Sequence, residues 1–174
     1  MAWRQGTATI SVRNQAAVIL AGSIVRGARR DWRGDWHGLS DADFDAFHVC
    51  TPFSVPDEEL GRLLRRALKA TRLNTPVPVA WSMGLWSDKL EYDLRLAAAF
   101  GLESSGGLYR GMLACGVRWL RGKVTLHPTR RLHGGRFEAF EPAWIEGHED
   151  VLLPFGSSDR ELGAAMRACI SRCA

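Results

Sequence analysis

The stretch "VCTPFSVPDEELGRLLRRA" (residues 49–67) returns as "VLLPFGSSDRELGAAMRAC" (residues 151–169), at a constant offset of 102. Eight of the 19 aligned positions are identical: Val49, Pro52, Phe53, Asp57, Glu59, Leu60, Gly61 and Arg65 with their partners. Ordinary composition gives about one such match by chance. Each copy reads as a short strand, a turn and a helix. In the first, Leu60, Leu63, Leu64, Ala67, Leu68 and Thr71 recur at i, i+3, i+4, i+7, i+8 and i+11. In the second, Leu162, Ala165, Met166, Cys169, Ile170 and Cys173 keep the same spacing. The pattern predicts helices over 57–72 and 158–173 that bury the same face, both against a sheet. Acidic residues in each first turn suit the helix dipole, "SDRE" (158–161) reads as a capping box, and Pro56 suits a first turn. Gly61 and Gly163 lie beside the apolar stripe, where each costs about 1 kcal/mol relative to Ala. Their placement points to close approach of helix to sheet.

Upstream, "TATISV" alternates Ala8, Ile10 and Val12 with Thr7, Thr9 and Ser11, and "RNQ" turns into the apolar run "AAVILAGSIV". That run has the length of a signal-peptide core, but the period-2 strand before it favours a β-hairpin. The polar, Gly-containing "RGARRDWRGDWHGLSDADFDAF" lacks periodicity and reads as a long irregular excursion. Between the copies, Pro76 and Pro78 mark an extended link. A helix then runs from Ser87 or Asp88 to a stop at Gly101, followed by a shorter, glycine-weakened helix in "SSGGLYRGMLACG". "VRWLRGKVTLHP" reads as a second hairpin turning at Arg121 and Gly122. Strands and helices mix without strict alternation, so the expected fold class is α+β. We expect a mixed or antiparallel sheet with helices packed on it, in a single domain over 1–174.

The totals narrow the function. The chain has 174 residues, 46% hydrophobic and 24% charged, with a formal charge of +4. An acidic partner or nucleic acid is conceivable, but Lys and Arg are spread along the chain rather than gathered in one patch. The cysteines at 50, 115, 169 and 173 form no CxxC pair, and no apolar run is long enough for a membrane helix. No Walker loop, GxGxxG or HExxH occurs, and no metal-ligand spacing is present. "HPT" (127–129) occurs once, so a two-histidine phosphoesterase fails on its second half. His127 with Lys123 and His133 leaves a ribonuclease-like site open, and Arg62, Arg65, Arg66, Lys69 and Arg72 form a basic helix face that could meet phosphate or be plain solvated surface.

Trp32 and Trp36 lie in the irregular excursion, interleaved with Asp41, Asp43 and Asp45. Rigid aromatic rings set among charges suit interface anchors, although loop tryptophans also fold back onto cores. A second acidic group includes Glu138 and Glu141, with Glu146, Glu149 and Asp150 beyond.

"VCTPFSVPDEELGRLLRRALKATR", "GKVTLHPTR" and "EDVLLPFGSSDRELGAAMRACISRC" together resemble a family of immunity proteins of contact-dependent growth inhibition systems, over roughly residues 47–173. The resemblance implies a cytoplasmic, non-enzymatic protein without cofactor or metal, whose partner is a toxin domain, commonly a nuclease, delivered by a neighbouring cell. It brings no catalytic residues. The candidate toxin-binding residues are therefore Trp32, Trp36, Asp41, Asp43, Asp45, Glu138 and Glu141. The competing reading is an RNA-binding or RNA-cleaving protein using the basic helix and His127.

Overall fold

The computed structural model describes residues 5–25, 29–30, 36–37, 40–75, 87–132, 137–140 and 145–174. Two hairpins form its centre. β1 (Gln5–Arg13) turns into β2 (Ala16–Val25), and β8 (Leu113–Leu120) turns into β9 (Lys123–Arg131). Both turns have two residues at positive φ: Asn14 and Gln15 at 48° and 65°, Arg121 and Gly122 at 51° and 76°. That is the type I′ geometry whose twist matches the flanking strands. β1 and β8 pair antiparallel from Gln5 opposite Leu120 to Val12 opposite Leu113, joining the hairpins into one sheet.

Four short strands extend the sheet. β5 (Ser40–Ala42) and β6 (His48–Pro52) both pair antiparallel with β2, while β10 (Phe137–Ala139) and β11 (Val151–Pro154) pair antiparallel with β9. β7 (Arg72–Thr75) lies parallel to β2, and β3 (Arg29–Arg30) and β4 (Trp36–His37) form a separate pair. Three helices are described: α1 (Asp57–Ala70), α2 (Ser87–Ala99) and α3 (Asp159–Ser171). This is an α+β protein with a largely antiparallel sheet.

The two halves match strand for strand. Ala16 faces Pro52 as Lys123 faces Pro154, and Gly22 faces Ala42 as Thr129 faces Ala139. The Phe53 N–H donates to the Gln15 carbonyl at 2.6 Å, and the Phe155 N–H to the Gly122 carbonyl at 2.7 Å. Ala174 exchanges hydrogen bonds with Thr129 and Arg131, at the place where Arg72 meets Ser23 in the other half. The hairpins correspond at a spacing of 107, as in Asn14 with Arg121, whereas the strand–helix units correspond at 102.

α1 and α3 cover one sheet face side by side. Leu60, Leu64, Ala67 and Leu68 from α1 and Leu162, Met166 and Cys169 from α3 are fully buried with Ile10, Ile19, Cys115 and Leu126. Burial of each large side chain is worth about 1.5–3 kcal/mol. α3 starts on the capping box, with Ser158 accepting from the Glu161 N–H and the Glu161 carboxylate accepting from the Ser158 N–H. α1 starts after Pro56 without a side-chain cap and carries Asp57, Glu58 and Glu59 in its first turn.

The glycines serve a different contact from the expected one. A Cβ on Gly61 would lie 1.7 Å from the Asp159 carbonyl oxygen, and one on Gly163 would lie 1.8 Å from that of Asp57. They allow helix to cross helix, not helix to approach sheet. Arg65 and Arg167 frame this crossing. Arg65 Nε donates to Asp159 Oδ1 at 2.6 Å, and its other nitrogens donate to the Phe155 and Ser157 carbonyls. Arg167 Nε donates to Asp57 Oδ1 at 2.6 Å, and its other nitrogens to the Phe53 and Val55 carbonyls. Each guanidinium also lies over a phenylalanine ring, Arg65 over Phe155 and Arg167 over Phe53. Four of the eight identities in the sequence, Phe, Asp, Gly and Arg, are thus the residues of this reciprocal seam.

The opposite sheet face is covered unequally. Val18 and Leu20, alternating with Ala17 and Ile19, are buried beneath Phe44, Leu96, Ala97, Leu108 and Met112. The matching positions of β9 are Thr125 and His127, polar and half-buried. The short helix expected in "SSGGLYRGMLACG" (104–116) does not form: residues 106–111 are turns, with Gly107 and Gly111 at φ 74° and 66°, and 113–116 belong to β8. α1 also ends two residues earlier than its spacing suggested, because Thr71 leaves helical geometry and its hydroxyl bonds β1 at Thr7.

Candidate partner-binding surface

Asp43 and Asp45 sit in the turn between β5 and β6. Asp43 Oδ1 accepts from the N–H groups of Asp45 (3.1 Å) and Ala46 (3.0 Å), and Oδ2 lies 3.4 Å from Arg72 Nε. Such an Asx turn satisfies backbone donors that would otherwise be left without partners. Asp43 is therefore part of the scaffold. Asp45 is two-thirds exposed and accepts from Arg95 Nη2 of α2 at 2.5 Å. The Arg95 guanidinium holds the Asp45 carboxyl below the usual carboxylate range.

Asp41 lies in β5 opposite Ser23, and Trp36 lies in β4 opposite Arg30. Trp32 and Glu141 lie outside the described residues. Glu138, half exposed, is in β10 opposite Arg130, whose Nη2 is 3.4 Å from its carboxylate. Asp41 and Glu138 thus occupy matching strand positions in the two halves. Three successive antiparallel pairings separate β2 from β9, so the ends of these strands that carry β5 and β10 point in opposite directions. The structure brings Asp41, Asp43 and Asp45 to one end of the sheet and leaves Glu138 at the other.

Several residues of the competing catalytic reading make contacts within the chain. His127 Nδ1 is 2.9 Å from Asp150 Oδ2 on the polar sheet face. His133 lies outside the described residues. Of the basic helix face, Arg62 binds Glu59, Arg65 is part of the seam, Arg66 lies over Phe47, and Arg72 belongs to β7. Cys115 Sγ and Cys169 Sγ are 2.6 Å apart in the core. The contact with Cys115, together with burial, raises the Cys169 thiol far above its ordinary value, so it is protonated at neutral pH. Among the described residues no three His, Cys, Asp or Glu side chains gather as a metal site, and no helix is long and apolar enough to cross a membrane. A cavity of about 400 Å³ opens between the sheet and the segment after α2, lined by Ser11, Tyr92, Tyr109, Met112, Thr129 and Phe137. The Tyr109 hydroxyl donates to Asp93 at its side. Its described lining carries aromatic rings, hydroxyl groups and the Cys115 thiol.

Asp43 and Asp45 thus lie in a turn on a rigid sheet, where residues that carry function are often placed. Residues 7–173 match the family of CdiI, the CDI immunity proteins. The chain belongs to this family. Among curated relatives, the immunity protein CdiI-YPIII of Yersinia pseudotuberculosis serotype O:3 (strain YPIII) is 26% identical over 141 residues, covering 72% of this chain and 77% of that protein. Two solved structures share the fold at a TM-score of 0.76. One is the toxin and immunity complex CdiA-CT/CdiI from Yersinia pseudotuberculosis, at 17% identity, covering 98% of each chain. The other is a protein of unknown function from Neisseria meningitidis, at 19% identity, covering 98% of this chain and 96% of that one. In this CdiI family member, the matching strands and the helix seam lie within the residues that the family model spans.

Proposed function

We propose that this chain binds the C-terminal toxin domain of a CdiA effector and neutralises it by covering the toxin's active site. The observation that carries this reading is the family match over residues 7–173, which spans both halves of the fold. It is supported by a curated relative that is itself an immunity protein and by the fold shared with the immunity component of a solved toxin complex. Neutralisation is stoichiometric and not catalytic. It takes place in the cytoplasm, where a delivered toxin would act.

The toxin we expect is a nuclease, and the docking surface is the segment carrying Trp32, Trp36, Asp41, Asp43 and Asp45. A nuclease presents cationic or hydrogen-bond-donating groups to phosphate. Carboxylates docked there satisfy those groups and exclude the substrate, while their field speeds encounter. Glu138 and Glu141 form a second acidic candidate, of which Glu138 lies at the opposite end of the sheet. The commitment of Arg62, Arg65 and Arg72 to intramolecular partners supports this reading over direct RNA binding.

The test is co-purification and calorimetric titration with the C-terminal toxin domain of the cognate CdiA protein. We expect a 1:1 complex and loss of toxin activity. The chain alone, incubated at length with RNA or DNA, is expected to leave both intact. Absence of a complex sinks the immunity reading, and cleavage abolished by His127→Ala replaces it with the catalytic one.

A further inference from the structure

Resting on the immunity reading, the geometry points to a groove between α2 and the edge strand β6 as the seat of an apolar anchor side chain of the toxin. The groove encloses about 530 Å³ and is open to solvent, with Phe44, His48, Val49, Cys50, Ala98 and Ala99 along its walls. It is one of the places where the two halves differ, because the described residues of the other half hold no counterpart of α2.

An apolar stripe leads into it. Leu90 and Leu94 of α2 are 57% and 48% exposed, and Ala98 follows at the same interval of four. Side chains four apart lie on one helix face, so Leu90, Leu94 and Ala98 form a single row that ends in the groove wall. The opposite face of α2 is already used, with Leu96 buried and Tyr92 packed in the same cluster as Val18 and Leu20. An outward apolar row on a helix whose inward face is satisfied adds nothing to the fold and leaves apolar surface in water.

The rim says what kind of partner fits. Asp45 and Glu91 both pair with the single Arg95 guanidinium, at 2.5 and 4.0 Å, which leaves an excess of negative charge. The Asp45–Arg95 pair also joins the groove to the acidic turn after β5, making one continuous surface. The complementary partner is a protein face with an aliphatic or aromatic side chain flanked by basic residues, as expected for the substrate cleft of a nuclease toxin. A second copy of this chain fits less well. Three side chains and a groove supply only part of the about 800 Å² per partner that a stable interface buries, and the net negative rim of Asp45, Glu91 and Arg95 would meet its own copy.

The experiment is calorimetric titration of the full chain with the same toxin domain. Leu94→Asp and Ala98→Glu each place a charge in the row, and both positions are exposed, so the melting temperature stays as in the wild type. We expect each to weaken binding by at least about 30-fold, as for a central anchor. Leu152→Asp, at the position of β11 that matches Cys50, binds as the wild type. The inference is overturned if Leu94→Asp and Ala98→Glu bind normally, or if Leu152→Asp is the variant that weakens. If Leu94→Asp lowers the melting temperature, Ala98→Glu decides alone. A wild-type chain that does not bind removes the immunity reading and this inference with it.

Discussion

Gly61 and Gly163 meet where α1 crosses α3, each occupying the space a side chain would need against the other helix's first turn. A Cβ on Gly61 would stand 2.9 Å from the Gly163 backbone nitrogen and closer still to the Asp159 carbonyl. Helix propensity alone favours Ala at both sites by about 1 kcal/mol. The clash with rigid backbone reverses that sign. We expect Gly61→Ala and Gly163→Ala each to destabilise the fold by at least about 2 kcal/mol, since overpacking against an unyielding neighbour costs that much. Urea denaturation checks it, and a stabilised variant would refute the close crossing.

Arg65 and Arg167 should contribute equally, because each makes the same three hydrogen bonds in mirrored order. Lysine keeps the charge but lacks the planar fork. Arg65→Lys and Arg167→Lys are each expected to cost about 1.5 kcal/mol, discounted for side chains that are a fifth to a third exposed. Chemical denaturation of the two single variants provides the comparison. A difference above about 1 kcal/mol between them would show that only one arm of the seam supports the fold.

Asp43 and Asp45 separate scaffold from surface. Asp43→Ala removes the acceptor for two backbone N–H groups and should cost about 1 kcal/mol, seen as a lower melting temperature. Asp45→Lys leaves the turn intact, so its melting temperature should hold while toxin affinity falls about tenfold. Unchanged affinity for Asp45→Lys would move the docking surface elsewhere.

The capping box gives α3 an acid-sensitive end. Hydrogen bonds from the Ser158 side chain and backbone depress the Glu161 carboxyl below its ordinary value of 4.5. A depressed acid stabilises the folded state fully above its unfolded value and loses that contribution as pH falls through the folded one. Stability should therefore decline below about pH 4.5 for this reason among others, and Glu161→Gln should flatten that part of the curve. Thermal melts of both chains between pH 3 and 6 decide it. Parallel curves would mean the box does not titrate with folding.

The residues legible in the sequence are those that report on local geometry. Alternation in "TATISV", the apolar spacing of α1 and α3, and the Ser158–Glu161 box all appear where expected. The strand–helix match was visible because the seam requires Phe, Asp, Gly and Arg on both sides. The hairpins match just as closely in space, yet aligning 7–22 with 114–129 yields no identity. Sheet pairing asks only for alternation and a turn that tolerates positive φ, which Asn-Gln and Arg-Gly both meet. The glycine contact was misassigned because a stripe shows which face is buried and not what lies against it. The helix expected within 104–116 was lost to Gly107 and Gly111, and Asp43 looked like surface because its backbone partners are two and three residues away.

The seam has the form of an isologous contact, the kind that holds a two-fold homodimer together. In a homodimer every feature occurs twice, so two identical partners could dock. Joining both halves in one chain lifts that restriction. α2 lies over β2, and the matching face of β9 keeps its polar side chains. Covalent linkage also holds the halves at a high effective concentration however dilute the protein is. The result, among the described residues, is a two-fold frame that carries α2 on one half alone, so a surface built on α2 occurs once in each chain.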